Sequence, residues 1–147
     1  MKMRAFLLII ILVGGTYAMI QSYTEYNEKN FRDFVGSLDT EFTSLVFNQP
    51  STTGATPNTW MVEDEGKIDD LISFLDNYQI RKLKQEEVIF DVVEPRYSIS
   101  LKDNNHNVLT IFLDENIIIQ SDSNYYEIVG GPIDVAWLQH FFINSQK

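Results

Sequence analysis

The 147-residue sequence contains no cysteine. That absence excludes disulfides, thiolate metal sites, a cysteine nucleophile and the lipid-modified cysteine of a bacterial lipoprotein. Histidine is nearly as scarce. Of the two, His106 falls in a predicted hairpin turn and His140 on the polar side of the last predicted helix, so no pair stands at the helical spacing that zinc requires. No glycine-rich phosphate loop and no nucleophile elbow occurs. Cations are also few. Eleven Lys and Arg face twenty-one Asp and Glu, a formal net charge of -10, and setting aside the two cations Lys2 and Arg4 leaves -12 on the remainder. Such a surface repels phosphate backbones and anionic headgroups, which argues against nucleic acid as a partner and against a polybasic membrane-surface role. No cofactor and no metal site is expected, and no residue is assigned a catalytic role.

Apolar residues are plentiful, at 44% with 13% aromatic, enough for one packed domain of about 100 to 120 residues. The first two dozen residues differ in character. Lys2 and Arg4 precede Ala5 to Thr24, an uncharged stretch with an aliphatic and aromatic centre from Phe6 to Val13. A hydrocarbon core of about 30 Å needs about 20 helical residues, so residues 1–24 read as a membrane anchor that contacts the bilayer through 5–24. A signal peptide cut after Ala18 is the alternative, and would leave a secreted protein. In either case the basic N-terminus stays in the cytoplasm and the rest lies outside.

Residues 25–40 read as an amphipathic stalk helix, with Tyr23, Tyr26, Phe31, Phe34, Val35 and Leu38 near helical spacing. Residues 41–147 read as a single extracytoplasmic domain. Its first strand is expected at Glu41 to Phe47, followed by a Ser/Thr-rich surface loop from Gln49 to Asn58 and a short strand at Trp60 to Val62. The acids Glu63, Asp64 and Glu65 suit a helix N-terminus. Ile68, Leu71, Ile72, Leu75 and Tyr78 then form one apolar stripe, with Asp69, Asp70 and Asp76 on the wet side. Arg81, Lys82 and Lys84 follow the helix and are read as cations at its C-terminus and on an edge strand rather than as an anion site. Val88 to Val93 reads as strand.

From Tyr97 to Val129 short polar turns separate apolar runs, which predicts an antiparallel meander. Tyr97, Ile99 and Leu101 alternate with Ser98, Ser100 and Lys102, the pattern of a half-buried strand. Val108 to Leu113 is apolar except at Thr110 and is expected to be covered on both faces. Ile117 to Gln120 and Tyr125 to Val129 complete it. Gly130-Gly131-Pro132 breaks the sheet and is expected to start a last helix over 132–144 with proline in its first position. The expected fold is α+β, an antiparallel meander of about five strands packed by two helices and preceded by the membrane helix.

Asp103, Asn105, Asn107 and Asp114 echo positions 1, 3, 5 and 12 of a calcium loop. Val108 stands where that loop needs glycine and position 12 lacks the longer glutamate, so calcium is not expected there. The strand, the Ser/Thr-rich loop, the stretch "TWMVEDEGKIDDLISFLDNY", the meander ending "NYYEIVGG" and the closing helix together resemble small exported proteins of unknown function from Bacillus-type bacteria, the YhfM-like kind. The resemblance covers 41–147 and implies fold and location, with no residue roles. The reading that follows is a membrane-tethered interaction domain of the cell envelope, more consistent with a binding protein than an enzyme. Trp60, Tyr78, Tyr125 and Tyr126 are the candidates for a protein or peptide interface. The alternative is a carboxylate-dependent hydrolase acting on an envelope polymer. A reporter fused after Lys147 is expected to be active only outside the cytoplasm, and cytoplasmic activity would overturn this topology.

Overall fold

The computed structural model describes residues 2–35, 41–49, 58–88, 97–120 and 124–146. The expected Ser/Thr-rich loop falls almost wholly on 50–57 and the expected strand at Val88 to Val93 almost wholly on 89–96, outside the described residues. The chain begins with a long apolar helix, α1 (Lys2–Glu25), whose residues from Met3 to Glu25 are all exposed. Its 23 residues reach about 34 Å at 1.5 Å each, so the helix is long and apolar enough to cross a membrane.

Among the described residues of 25–40, no continuous stalk helix follows. After Glu25 the chain enters a two-residue strand, β1 (Lys29–Asn30), and a five-residue helix, α2 (Phe31–Val35). Phe31, Phe34 and Val35 are buried in the core of the domain. The 3.6-residue spacing was real, but tertiary burial of these three side chains draws the segment onto the sheet instead of letting it extend from the membrane.

The remaining elements are β2 (Phe42–Gln49), β3 (Asn58–Val62), α3 (Glu65–Asp76), β4 (Gln79–Lys82), a 3-10 turn at Gln85–Glu87, β5 (Tyr97–Asp103), β6 (Val108–Leu113), β7 (Ile117–Gln120), β8 (Asn124–Val129) and α4 (Val135–Ser145). The eight described strands form one sheet in the order β1-β4-β8-β7-β6-β5-β2-β3, and every neighbouring pair is antiparallel. The architecture is α+β, with eight strands where about five were expected. The meander β5 to β8 stands as read. The additional pairings come from β2 and β3 joining outside β5, and from β4 and β1 joining outside β8. Apart from β2 with β3, these partners are distant in sequence, and no local pattern announces them.

One face of the sheet carries the core. Leu45 and Phe47 of β2, Val62 of β3, Ile80 of β4, Tyr97, Ile99 and Leu101 of β5, Leu109, Ile111 and Leu113 of β6, Ile118 of β7, and Tyr126 and Ile128 of β8 all point to it and are buried. The helices α2, α3 and α4 supply the facing layer through Phe31, Leu71, Leu75, Leu138 and Phe142. Period-two alternation puts the intervening residues on the reverse face. Val108 is 60% exposed, so β6 is covered on one face rather than both; it reads as continuously apolar because Phe112 occupies a reverse-face position.

Helix ends obey local rules. The Asp64 carboxylate accepts from the Lys67 backbone N–H at 3.2 Å, and the Asp134 carboxylate accepts from that of Trp137 at 3.0 Å. These side chains are the N-caps of α3 and α4. Pro132 therefore lies before the last helix, and not in its first turn; the Tyr78 hydroxyl accepts from the Asp134 N–H at 3.0 Å and ties the two helices together there. Asp76 was expected to be idle on the wet side of α3. Instead its Oδ1 accepts from the Arg32 backbone N–H at 2.9 Å, so a residue in the last turn of α3 caps the start of α2.

The packing predicts a graded response. Leu71 and Leu75 have no more than 1% of their surface exposed, and alanine at either is expected to cost about 2 to 5 kcal/mol through lost burial and a cavity. Asp69→Ala, on the exposed side, is expected to change stability by less than about 0.5 kcal/mol, whereas Asp76→Ala removes a cap and is expected to cost about 1 kcal/mol. Urea denaturation of the full chain in detergent measures all four, and leucine variants as stable as the parent would refute the helix-on-sheet packing.

Candidate functional site

The four aromatic residues singled out in the sequence do not form one surface. Trp60 points to the core face at the β3 edge, where its ring stacks on Phe47 at 5.3 Å between centroids and lies near Phe142. Tyr78 meets Phe74 edge-on and uses its hydroxyl at the start of α4. Tyr126 is 5% exposed and packs edge-on against Phe34 at 4.9 Å. It is core, not interface. Tyr125 alone of the four projects from the reverse face, half-exposed. Aromatic residues carry no sign in the sequence of which face they take when strand boundaries shift by one.

The aromatic rings instead join into a ladder beneath the helices. Tyr78, Phe74, Trp137, Phe141, Phe142, Phe47 and Trp60 follow one another in ring contact across α3, α4, β2 and β3. The Phe74 and Trp137 rings stack at 3.8 Å. This column bonds α4 to the far edge of the sheet.

The reverse face is of a different kind. Cross-strand pairing lines up Thr59, Asn48, Ser98 and Phe112 in one row and Met61, Val46, Ser100 and Thr110 in the next. None is charged. The Ser100 and Thr110 hydroxyls are hydrogen-bonded at 2.9 Å, and Met61 is 63% exposed. Charge appears on this face at Lys102, which stands across from Val108, and at the β4-β8 side, where Arg81 Nε donates to Glu127 Oε1 at 2.6 Å. That bond, together with Glu87, holds the Arg81 guanidinium in its charged form.

A third feature lies where α1 meets the sheet. Lys82, on β4, pairs with Glu25 at the end of α1. Its ammonium lies 5.8 Å from the centre of the Tyr26 ring, and the Lys84 ammonium lies at the same distance from it. Lys29 stands 5.7 Å over the Tyr126 ring. The bond to Glu25 raises the pKa of Lys82 despite partial burial, and burial raises that of the Tyr126 phenol. The three cations read in the sequence as a helix-end group thus sit on β4 and the turn after it, with Lys82 paired to the end of α1 and Arg81 paired to Glu127.

Carboxylates elsewhere are structural. Asp103 is 1% exposed; its Oδ1 accepts from the backbone N–H groups of Asn105 and Asn107, and its Oδ2 from the Asn107 side chain, all at 2.8 Å. The carboxylate that echoed the first calcium ligand organises its own hairpin, with His106 in left-handed backbone at φ 65°. Among the described residues no group of three or more His, Asp or Glu gathers as metal ligands do. His106 and His140 are both exposed and far apart in the topology. Glu87 has its pKa lowered, first by the Lys84 backbone N–H and then by Arg81. A general acid needs the opposite shift.

Comparison with protein-family models, with curated proteins and with solved structures finds no match.

The lowered pKa of Glu87 has a consequence for pH. A carboxylate that is more acidic folded than unfolded stabilises the fold above its unfolded pKa, and loses that contribution as pH falls through the folded one. The Glu87 Oε2 bond to the Lys84 N–H, 2.9 Å long, is therefore expected to persist from neutral pH through the range in which a free glutamate titrates and to open only on further acidification. Amide exchange at Lys84 checks this by NMR: protection is expected to fall only on the acid limb in the parent, and to be weak at every pH in Glu87→Gln.

Proposed function

We propose that the protein is a membrane-tethered binding domain of the cell envelope, anchored by α1 with Lys2 and Arg4 in the cytoplasm, and that it engages a protein or peptide partner through the reverse face of its sheet. The observation that carries this reading is the uncharged centre of that face, flanked by Lys102 and by the Arg81–Glu127 pair, on a chain of net charge -10. Acidic residues crowd α3 and its cap, while Thr59, Asn48, Val46, Ser98, Ser100, Thr110, Phe112 and Tyr125 present hydroxyl, amide, aliphatic and aromatic groups. Interfaces are depleted of charge at their centre and enriched in Tyr, Phe and Met. All three helices of the domain pack on the opposite face, so none of the described helices covers this one.

The layout shared with the YhfM-like exported proteins accords with the same reading. So does the chemistry: an envelope hydrolase working through paired carboxylates needs one raised pKa, and among the described residues the shifted carboxylates, Glu25 and Glu87, both move down.

Site-specific photo-crosslinking in intact cells tests the proposal. A crosslinker at Phe112 or Tyr125 of the full chain is expected to yield a discrete adduct, and one at Asp69 on the exposed side of α3 is expected to yield none. Adducts of equal yield from all three positions, or from Asp69 alone, would overturn the assignment of the reverse face.

A further inference from the structure

We propose that Lys29, Lys82 and Lys84 form a cradle for the phosphate of an anionic lipid headgroup, built where α1 leaves the membrane. The inference rests on the reading of α1 as a membrane span. Tyr26 follows the last residue of the apolar helix. At about 1.5 Å per residue it enters the headgroup layer, which is about 5 to 7 Å deep on each side of the hydrocarbon core. The Lys82 and Lys84 ammonium groups lie 5.8 Å from its ring. They therefore lie at headgroup depth as well, where Tyr and Lys are both favoured.

The distribution of charge supports this placement. Nine lysines and arginines follow the helix in the sequence, and five of them, Lys29, Arg32, Arg81, Lys82 and Lys84, belong to β1, α2, β4 and the residues just beyond β4. Arg32 pairs with Asp76, Arg81 with Glu127 and Glu87, and Lys82 with Glu25. Lys29 and Lys84 have aromatic rings as their neighbours and, among the described residues, no carboxylate in ion-pair contact. Lys82 joins the two, since it shares the Tyr26 ring with Lys84 and stands directly across the β4-β8 ladder from Tyr126, which lies under Lys29. The carboxylates at hand are engaged or peripheral: Glu25 holds Lys82, Glu87 holds Arg81 and the Lys84 N–H, and Glu28 and Glu86 are exposed. Two ammonium groups poised over rings at the lipid surface, with a third shared by Glu25, match a phosphate oxyanion in charge and donor number. The strongly acidic remainder of the domain is repelled by the same surface, so the contact also sets which end of the sheet lies against the bilayer.

The test uses the full chain in dodecyl maltoside micelles, titrated with dihexanoyl phosphatidylglycerol, dihexanoyl phosphatidylcholine or glycerol 3-phosphate, with bound lipid read by native mass spectrometry. The parent is expected to retain phosphatidylglycerol in preference to phosphatidylcholine. Lys29→Gln with Lys84→Gln is expected to weaken that retention by about tenfold or more, while Lys67→Gln with Lys102→Gln, which removes as much charge far from α1, leaves it unchanged. Equal loss in both double variants, or no preference in the parent, would overturn the cradle; glycerol 3-phosphate binding as tightly as the lipid would overturn the lipid as its source. Alkaline extraction of cell membranes reads the span separately. A protein released by alkali would refute the anchor itself, and one retained, with unaltered lipid binding in Lys29→Gln/Lys84→Gln, would refute the cradle alone.

Discussion

The fold depends on the alternation of side chains along β5 and β6. Ile99, Leu101, Ile111 and Leu113 are buried at their centre, and the two strands are in register across six residue pairs from Tyr97↔Leu113 to Lys102↔Val108. A slip of one residue would turn Ser98, Ser100 and Lys102 into the core and expose the isoleucines. The hairpin at its end prevents that slip. The Asp103 carboxylate gathers the N–H groups of the turn, and the cost of burying it is offset by three hydrogen bonds. Everything else is laid against this pair: β2 and β3 on one side, β7, β8, β4 and β1 on the other, and three helices on the apolar face.

That one-sided construction separates the two tasks of the molecule. The core face absorbs nearly all the large apolar and aromatic side chains, and the ring ladder from Tyr78 to Trp60 carries α4 across to the far edge. The reverse face is left with small hydroxyl residues between Val46, Met61 and Phe112. An antiparallel sheet tolerates water on one side because its alternate residues need not be apolar. What is unusual is the absence of charge from the two central rows, with Lys102 and the Arg81–Glu127 pair at their margins, since a solvated face in so acidic a chain has no energetic reason to avoid it. Recognition supplies a reason, because burying unpaired charge in an interface is costly.

The anchor and the domain meet without a spacer. Three residues separate the end of α1 from β1, and Lys82 closes the joint by bonding Glu25. A link of that length holds the domain close to the end of α1, unlike a flexible linker whose reach grows with its length. The sheet edge formed by β1 and β4 is the one beside the end of α1, and the two-residue length of β1 leaves little unpaired backbone exposed there. The whole-chain charge masked this arrangement, because an average of -10 hides a local gathering of lysines.

Elements whose cause is local were legible in the residues alone. The apolar helix follows from length and hydropathy, α3 from its stripe and its Asp64 cap, and the four meander strands from alternation between turn residues that bond their own backbone. Each depends on neighbours within about ten positions, so the pattern is written where the structure forms. Only the tertiary structure decided the rest. It drew Phe31 and Phe34 into the core and abolished the stalk, paired β4 with β8 and β2 with β5, turned Tyr126 inward and left Tyr125 out, made Asp76 a cap for a helix more than forty residues away, and brought Lys29, Lys82 and Lys84 together at the end of α1. These contacts join distant segments, and their free energy exists only when the intervening chain has already closed. No short stretch of sequence encodes them, because each arises from the packing of the whole sheet.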